Sequence, residues 1–369
     1  MGINKVSSFA ALDSKFSLTN NGTIEIGNLS SVYAGIVING TFVNNSDGLI
    51  TINNVSSNGN TINTLLGSVS TNFGVIKIGN QFTNVYGTYL RGNFTNQSTG
   101  LIEINKVNYS GLYSESGTFS NYGSLKIGNN GFVSGNCINL QGAITFTNYA
   151  GGEIELNNSI NYPSFYLLSA TVVNSGNIKM GNIFPISAGL SIGSSGSFTN
   201  NSVLEIDNVS NIGSFSTALF NYTGSTFTNA SSGIIKIGLN TKVQNAIGRE
   251  FSNGTFNNNG NIEIGLVESK TTSSLTPITN NATGTILLNN DTYLFDGSIN
   301  NSGTINIQTS SSCSILSTLT NQTTGKLTVD GIFAGAGTLT NNGIINGNGE
   351  ITHTGTKTFN SNSIIAPGK

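Results

Sequence analysis

The side chains able to do chemistry are few and scattered. His353 is the one histidine of the 369 residues, so any Ser-His-Asp arrangement would have to be built on it. Glu350 is the nearest carboxylate in sequence, and His353 reads as an outward strand residue. Cys137 and Cys313 are too few for a disulfide framework and have no metal-ligand spacing. Sugar-cleaving enzymes need two carboxylates facing one bond. The candidates are Glu153 and Glu155, two apart on one strand face, and Asp291 and Asp296, which flank a loop. Asp13, Asp47, Asp207 and Asp330 are spread along the chain. Gly335-Ala336-Gly337 and Gly347-Asn348-Gly349 lack the strand, helix and lysine of a phosphate loop, and no calcium-binding Gly-Gly-x-Gly-x-Asp repeat occurs. This inventory implies no cofactor, no metal and no catalytic residue, with a polysaccharide-cleaving site kept as an alternative.

Two other patterns bear on binding. Threonine precedes a recurrent asparagine at Thr19, Thr71, Thr95, Thr147, Thr199, Thr228, Thr279, Thr320 and Thr340. An outward threonine file suits an ice-binding face, but such faces need two files. With Phe and Asn as the flanking residues, only one is expected here, broken at Val43, Val173, Asn257 and Asn300. Tyr86, Tyr89, Tyr109, Tyr113, Tyr162 and Tyr166 lie in the variable segments, where they would either stack on sugars or pack over corners of the fold. The many Asn-x-Ser/Thr sequons follow from composition.

What must position these residues is a repeat: apolar-x-Asn, a short turn, then Gly-x-Ile-x-Ile. It is seen at Phe42-Val43-Asn44 with Gly48-Leu49-Ile50-Thr51-Ile52, and again at Phe119-Ser120-Asn121 with Gly123-Ser124-Leu125-Lys126-Ile127. The asparagine marks the register at Asn20, Asn44, Asn72, Asn96, Asn121, Asn148, Asn174, Asn200, Asn229 and Asn258. It continues at Asn280, Asn301, Asn321 and Asn341, with Ser361 in the last copy. Ile-x-Ile is a period-2 strand signal, too short to bury its apolar face alone, and Asn and Gly bound it as turn formers. Stacked copies solve the burial problem. The expected fold is all-β: a single parallel β-solenoid (β-helix), taken as right-handed, of about 15 coils of 20–29 residues. A β-sandwich would not need such a register.

Stacking predicts three ladders. The residue two before the marker is apolar from Leu18 to Phe359, except Ser70 beside Val69, and belongs in the core. The asparagines would bond coil to coil as an amide ladder. The residue between the two Ile positions points outward and alternates in sign: Lys77, Glu103, Lys126, Glu155, Lys179, Glu205, Lys236, Glu263. At a strand spacing of about 4.8 Å each charge meets opposite charges above and below, so a slip by one coil brings like charges together. Short and long turns alternate early in the chain, so the duplicated unit reads as a pair of coils of about 52 residues. One continuous solenoid over 1–369 is expected, beginning mid-repeat at Ile3-Asn4-Lys5-Val6 (compare Ile104-Asn105-Lys106-Val107) and ending mid-repeat at Pro367-Gly368-Lys369. Cys137 and Cys313 then lie about seven coils, roughly 30 Å, apart, too far to bridge, and read as buried small hydrophobes.

Composition narrows the function. Only 8% of residues are charged and the net charge is −2, which excludes a basic nucleic-acid footprint. No apolar run is long enough to span a membrane, no signal-peptide pattern opens the chain, and Val6 breaks the myristoylation pattern. The Phe-Thr-Asn-x-Gly-x-Ile-x-Ile repeats, with an Ile-x-Pro-Gly-type ending, resemble the β-helical passengers of large bacterial surface proteins: autotransporters, filamentous-haemagglutinin-like adhesins and β-strand-repeat proteins. The resemblance covers almost the whole chain and is architectural. It implies an exported, extracellular or cell-surface structural or adhesive rod without catalytic activity, meeting surface glycans or a host or neighbouring cell. An end-to-end filament subunit, stacking on copies of itself, is the alternative.

Overall fold

The computed structural model describes residues 2–3, 10–56, 60–83, 86–210, 216–250, 254–268, 271–272 and 278–367. Residues 4–8 of the expected mid-repeat start and 368–369 of the expected ending lie outside them. The fold is a parallel β-solenoid, with no helix among the described residues. The chain divides into two compact units, Met1–Leu190 with Ile212–Phe215, and Ser191–Asn211 with Ser216–Lys369. Both are built alike, each turn giving one short strand to each of three parallel sheets.

In the first unit the Ile-x-Ile strands Val75–Thr83, Leu101–Ile104 and Ser124–Ile127 pair in succession. The marker strands Asn93–Asn96, Gly117–Asn121 and Ile144–Asn148 form a second face. Thr88–Leu90, Leu112–Ser114 and Ile138–Gln141 form a third. In the second unit Ile234–Ile237, Asn261–Ile264 and Thr285–Leu288 repeat the first face. There Thr292–Phe295, Ser312–Ile315 and Ile332–Gly335 make the third face as a separate sheet.

The core is a set of like-on-like stacks. Phe119 lies between Phe94 and Phe146, with ring centroids 5.7 and 4.9 Å apart. In the second unit Phe227 lies between Phe198 and Phe256 at 5.6 and 4.8 Å. Offset ring pairs of this kind add stability beyond the area they bury. Ser70 sits in register between Phe42 and Phe94 and is buried without a partner for its hydroxyl, while Val69 beside it is exposed and does not fill the gap.

Behind the phenylalanines runs the amide chain. In the first unit each marker Nδ2 donates to the next Oδ1, from Asn20 through Asn44, Asn72, Asn96, Asn121 and Asn148 to Asn174, at 2.8–2.9 Å. In the second it runs from Asn200 through Asn229, Asn258, Asn280, Asn301 and Asn321 to Asn341, at 2.7–2.9 Å. The same amide also reaches backbone carbonyls, as Asn148 does at Gly152 and Asn177, both 3.3 Å. This explains the glycine after the marker: a Cβ on Gly100 would strike Asn96 Oδ1 and lie 2.6 Å from the Asn72 carbonyl oxygen.

The two-coil rhythm has a physical basis. In alternate coils the Ile-x-Ile run is followed at once by a left-handed glycine, Gly27, Gly79 and Gly128, at φ 71°, 73° and 78°. A Cβ on Gly79 would lie 2.8 Å from the Lys106 carbonyl oxygen in the next coil. The intervening coils carry buried polar side chains at that place: Asn53, Asn105, Asn157 and Asp207. Asn53 donates back to Asn28 of the preceding coil, whereas the other three cap the loop of the following coil. Asn105 Oδ1 accepts the Asn130 N–H at 3.0 Å, Asn157 Oδ1 the Ile183 N–H at 3.0 Å, and Asp207 Oδ1 the Asn240 N–H at 3.2 Å.

Three readings need correction. Phe359 and Ser361 do not continue the Phe and Asn files: Asn341 faces Phe359, which is 44% exposed. The reason is a shorter last turn, with Asn342 bonded to Asn360, 18 residues on. His353 is not outward. It is buried, its ring stacked on Phe333 and its nitrogens 3.3 and 3.1 Å from the Ala334 and Gly337 carbonyl oxygens. The threonine file is not single either. Strand alternation also exposes the residue before the apolar one, so Thr118, Thr145 and Thr171 form a second file beside Ser120, Thr147 and Val173.

Candidate functional site

The charged file keeps the alternating register within each unit: Lys77, Glu103, Lys126, Glu155 and Lys179 in the first, Glu205, Lys236 and Glu263 in the second. Among the described residues two pairs close, Lys77–Glu103 and Lys126–Glu155, each at 3.7 Å. The glutamates are also held by asparagine amides. Asn130 donates to Glu103, Asn129 to Glu155 and Asn240 to Glu205, at 2.6, 2.6 and 3.0 Å. The charge row is therefore knitted into the scaffold and is not a reactive cluster.

Most of the other candidates for chemistry are engaged or sealed; Glu153 is exposed and one carboxylate oxygen of Asp296 is buried without a hydrogen-bond partner. Cys137 and Cys313 are free, buried thiols whose burial pushes their pKa up, away from the reactive thiolate. Asp207 caps a loop, and Asp291 accepts the Val267 and Thr292 N–H groups. Glu153 and Glu155 share a strand face, with Glu155 paired to Lys126. No group of three or more His, Cys, Asp or Glu able to hold a metal ion occurs among the described residues.

The structure does gather the tyrosines of the first unit. On the third face Asn63, Tyr89, Tyr113, Asn139 and Tyr166 pair in register, one per coil, so strand alternation aims them all outward. Tyr86, on the corner before this face, stacks on Tyr113 at 4.5 Å and lies 5.6 Å from Tyr109. Tyr89 and Tyr113 are 5.2 Å apart, and the Arg91 guanidinium sits 5.1 Å over the Tyr89 ring. Both phenols donate to Glu115, at 2.7 and 2.9 Å. Burial, then this hydrogen bond, pushes Tyr89 up to about 12 and raises Tyr113 as well, while burial raises Tyr86 and Tyr166. The phenols stay neutral donors across the physiological range.

Beside this cluster runs a groove of about 330 Å³. Tyr86 and Tyr109 line one part of it and Tyr162 another, with Ser110, Asn136 and Asn139 also among its lining residues. Tyr109 and Tyr162 are 54% and 51% exposed, so ring surface is offered to solvent. Asn136 is buried and fixed by a 2.7 Å bond to the Pro163 carbonyl oxygen. Close coil-to-coil approach requires glycine at Gly135, since a Cβ there would lie 2.7 Å from the Tyr109 carbonyl oxygen. No charged side chain lines the groove. A hollow of similar size near Gly100, Gly123 and Lys126 has no aromatic wall.

No protein-family model matches the chain, and no curated protein matches it. Among solved structures, the crystal structure of the TibC-catalyzed hyper-glycosylated TibA55-350 fragment is similar at 13% sequence identity and a TM-score of 0.24, over 99% of this chain and 98% of that one. At that distance the likeness carries nothing about function.

The six tyrosines were visible in the sequence, but their assembly was not. The segments between Ile-x-Ile and the next marker vary in length, so no spacing rule puts Tyr86, Tyr109 and Tyr162 on one corner. The usable signal was the outward place of Tyr89, Tyr113 and Tyr166 in short alternating strands.

Proposed function

We propose that this chain is a non-catalytic, adhesive solenoid segment of an extracellular or cell-surface protein, and that it binds neutral carbohydrate in the groove between Tyr109 and Tyr162. The carrying observation is that groove: half-exposed phenol rings, a lining of amide and hydroxyl groups and no charge. Sugar rings present C–H faces that pack on aromatic rings, and their hydroxyls need donors and acceptors in fixed places. The low charge of the chain and the resemblance to bacterial surface passengers support the surface location. The test is calorimetry against a panel of neutral and acidic oligosaccharides, with the double variant Tyr109→Ala/Tyr162→Ala. Binding of a neutral sugar that the variant loses supports the reading. Equal binding by the variant, or a preference for acidic sugars, overturns it.

One observation favours a second reading, an ice-ordering face. The marker face carries two hydroxyl-rich files, seen at Thr226 and Thr228 beside Thr255. Their spacings are about 4.8 Å across strands and about 6.7 Å along them, near the oxygen repeat of ice. Thermal hysteresis that Thr145→Lys abolishes would establish it, and ice growth indistinguishable from a buffer control would dismiss it.

A further inference from the structure

The groove has a direction. Its corner is built by successive coils: the Gly87 N–H bonds to the Ser110 carbonyl at 3.0 Å, the Gly111 N–H to the Asn136 carbonyl at 3.0 Å, and the Asn136 amide to the Pro163 carbonyl at 2.7 Å. Tyr86, Tyr109, Gly135 and Tyr162 therefore sit on four consecutive coils. Three strand spacings give a length of about 14 Å along the stack, room for roughly three pyranose rings end to end.

The groove is open-sided along that line. Tyr109 and Tyr162 are both exposed, and the coil between them lines the groove with Ser134 and with Gly135, whose backbone lies too close to Tyr109 to carry a side chain. A pocket for a terminal sugar would need a wall to close one end. Here the polar groups recur instead at the coil repeat, with Asn108, Ser134 and Asn161 following one another on successive coils. Ser134 Oγ donates to Asn108 Oδ1 and Asn161 Nδ2 to the Ser134 carbonyl, each at 3.3 Å. A periodic surface of this kind matches a periodic ligand.

We infer that the groove recognises an internal stretch of a linear, neutral polysaccharide lying parallel to the solenoid stack, rather than a terminal sugar. The inference rests on the carbohydrate reading above and specifies its ligand class. Each ring of the glycan meets one coil, with aromatic contacts at Tyr109 and Tyr162 and amide or hydroxyl contacts between them.

The test is a length series, from monomer to hexamer, of linear neutral β-linked glucose, β-linked N-acetylglucosamine and α-linked mannose oligomers, measured by calorimetry. A matching polysaccharide coupled to a solid support through its ends is tested in parallel. Affinity for one series should rise at least tenfold from monomer to trimer and then level off, and the end-coupled polymer should bind. Tyr162→Ala should flatten the rise, because the outermost ring loses its platform. Ser134→Gln, which enlarges a lining side chain on the coil between Tyr109 and Tyr162, should remove binding of the trimer more than that of the monomer. A monomer that binds as tightly as the trimer, with both lost in Tyr109→Ala/Tyr162→Ala, overturns this inference and leaves the carbohydrate reading intact. Failure of every oligomer and polymer to bind overturns both.

Discussion

The third faces of the two units use similar residues in opposite senses. In the first unit Tyr89, Tyr113 and Tyr166 occupy the outward phase of their strands. In the second, Tyr293, Cys313 and Phe333 share one register and face inward, all buried. Tyr293 meets its hydrogen-bonding need inside, donating within reach of the Ile264, Gly265 and Asn289 carbonyl oxygens at 2.9, 2.7 and 2.7 Å. A one-residue change of phase thus decides whether an aromatic ring holds the coil together or is offered to a partner. Coil length separates the regions too. The marker spacing is 24–27 residues from Asn72 to Asn174 but 20–22 from Asn258 to Asn341. Only the longer coils have spare chain for a corner such as 107–111 or 133–137, and those corners make the groove.

The widest contrast is between an inward and an outward tyrosine. Tyr293→Ala empties a fully enclosed site and should cost about 3–5 kcal/mol, read as a fall in the urea midpoint. Tyr162→Ala removes an exposed ring and should stay within about 0.5 kcal/mol, while altering carbohydrate binding. Similar stability losses at the two positions would mean that Tyr162 is a packing residue and the groove is incidental.

The amide chain is common to both units, so it should not discriminate between them. Asn148→Leu and Asn280→Leu each leave a buried donor on one side and a buried acceptor on the other. Each should destabilise by roughly 2–4 kcal/mol. Hydrogen exchange should show the opening spreading to the flanking coils, since each repeat is held mainly by its neighbours. The exposed Asn161→Ala in the corner should cost little.

Glycine substitutions sharpen the comparison between coil contacts and turns. Gly128 and Gly151 both have left-handed backbones, at φ 78° and 85°. A Cβ on Gly128 would strike the Asn157 carbonyl oxygen, whereas Gly151 has nothing within 4 Å. Gly151→Ala should therefore carry only the conformational cost of about 1 kcal/mol, and Gly128→Ala about 1–3 kcal/mol more. Equal effects would show that coil-to-coil approach at Gly128 is not tight.

How far the sequence predicts this molecule follows from which parts repeat. The marker asparagines, the phenylalanine stack and the charge alternation are each one residue type at one phase, and periodicity alone puts them in register. The second hydroxyl file was equally legible, in Thr145-Phe146-Thr147 and Thr318-Leu319-Thr320, once alternation is counted on both sides of the apolar residue. His353 and Phe359 were not, because the last turn is shorter than those before it and a two-residue change reverses no pattern visible nearby. The groove depends on where irregular corners meet in space, which coil-to-coil hydrogen bonds fix and local sequence does not.

The smallest effects test the outward phenols themselves. Tyr89 is an acid whose folded pKa is raised to about 12 by burial and by its bond to Glu115, against about 10 for a free phenol. Folding therefore favours the protonated form. Its contribution to stability is fully present below pH 10 and disappears as the pH climbs through about 12. Phenolate absorbance should show Tyr89 and Tyr113 in a late-titrating group. Glu115→Gln should bring that later group earlier, because the carboxylate's charge and its acceptance of both phenol protons are lost together, while burial remains. If Glu115→Gln leaves the titration unchanged, burial alone holds the phenols neutral, and the Glu115 bridge that ties Tyr89 to Tyr113 has no part in ordering the aromatic face beside the groove.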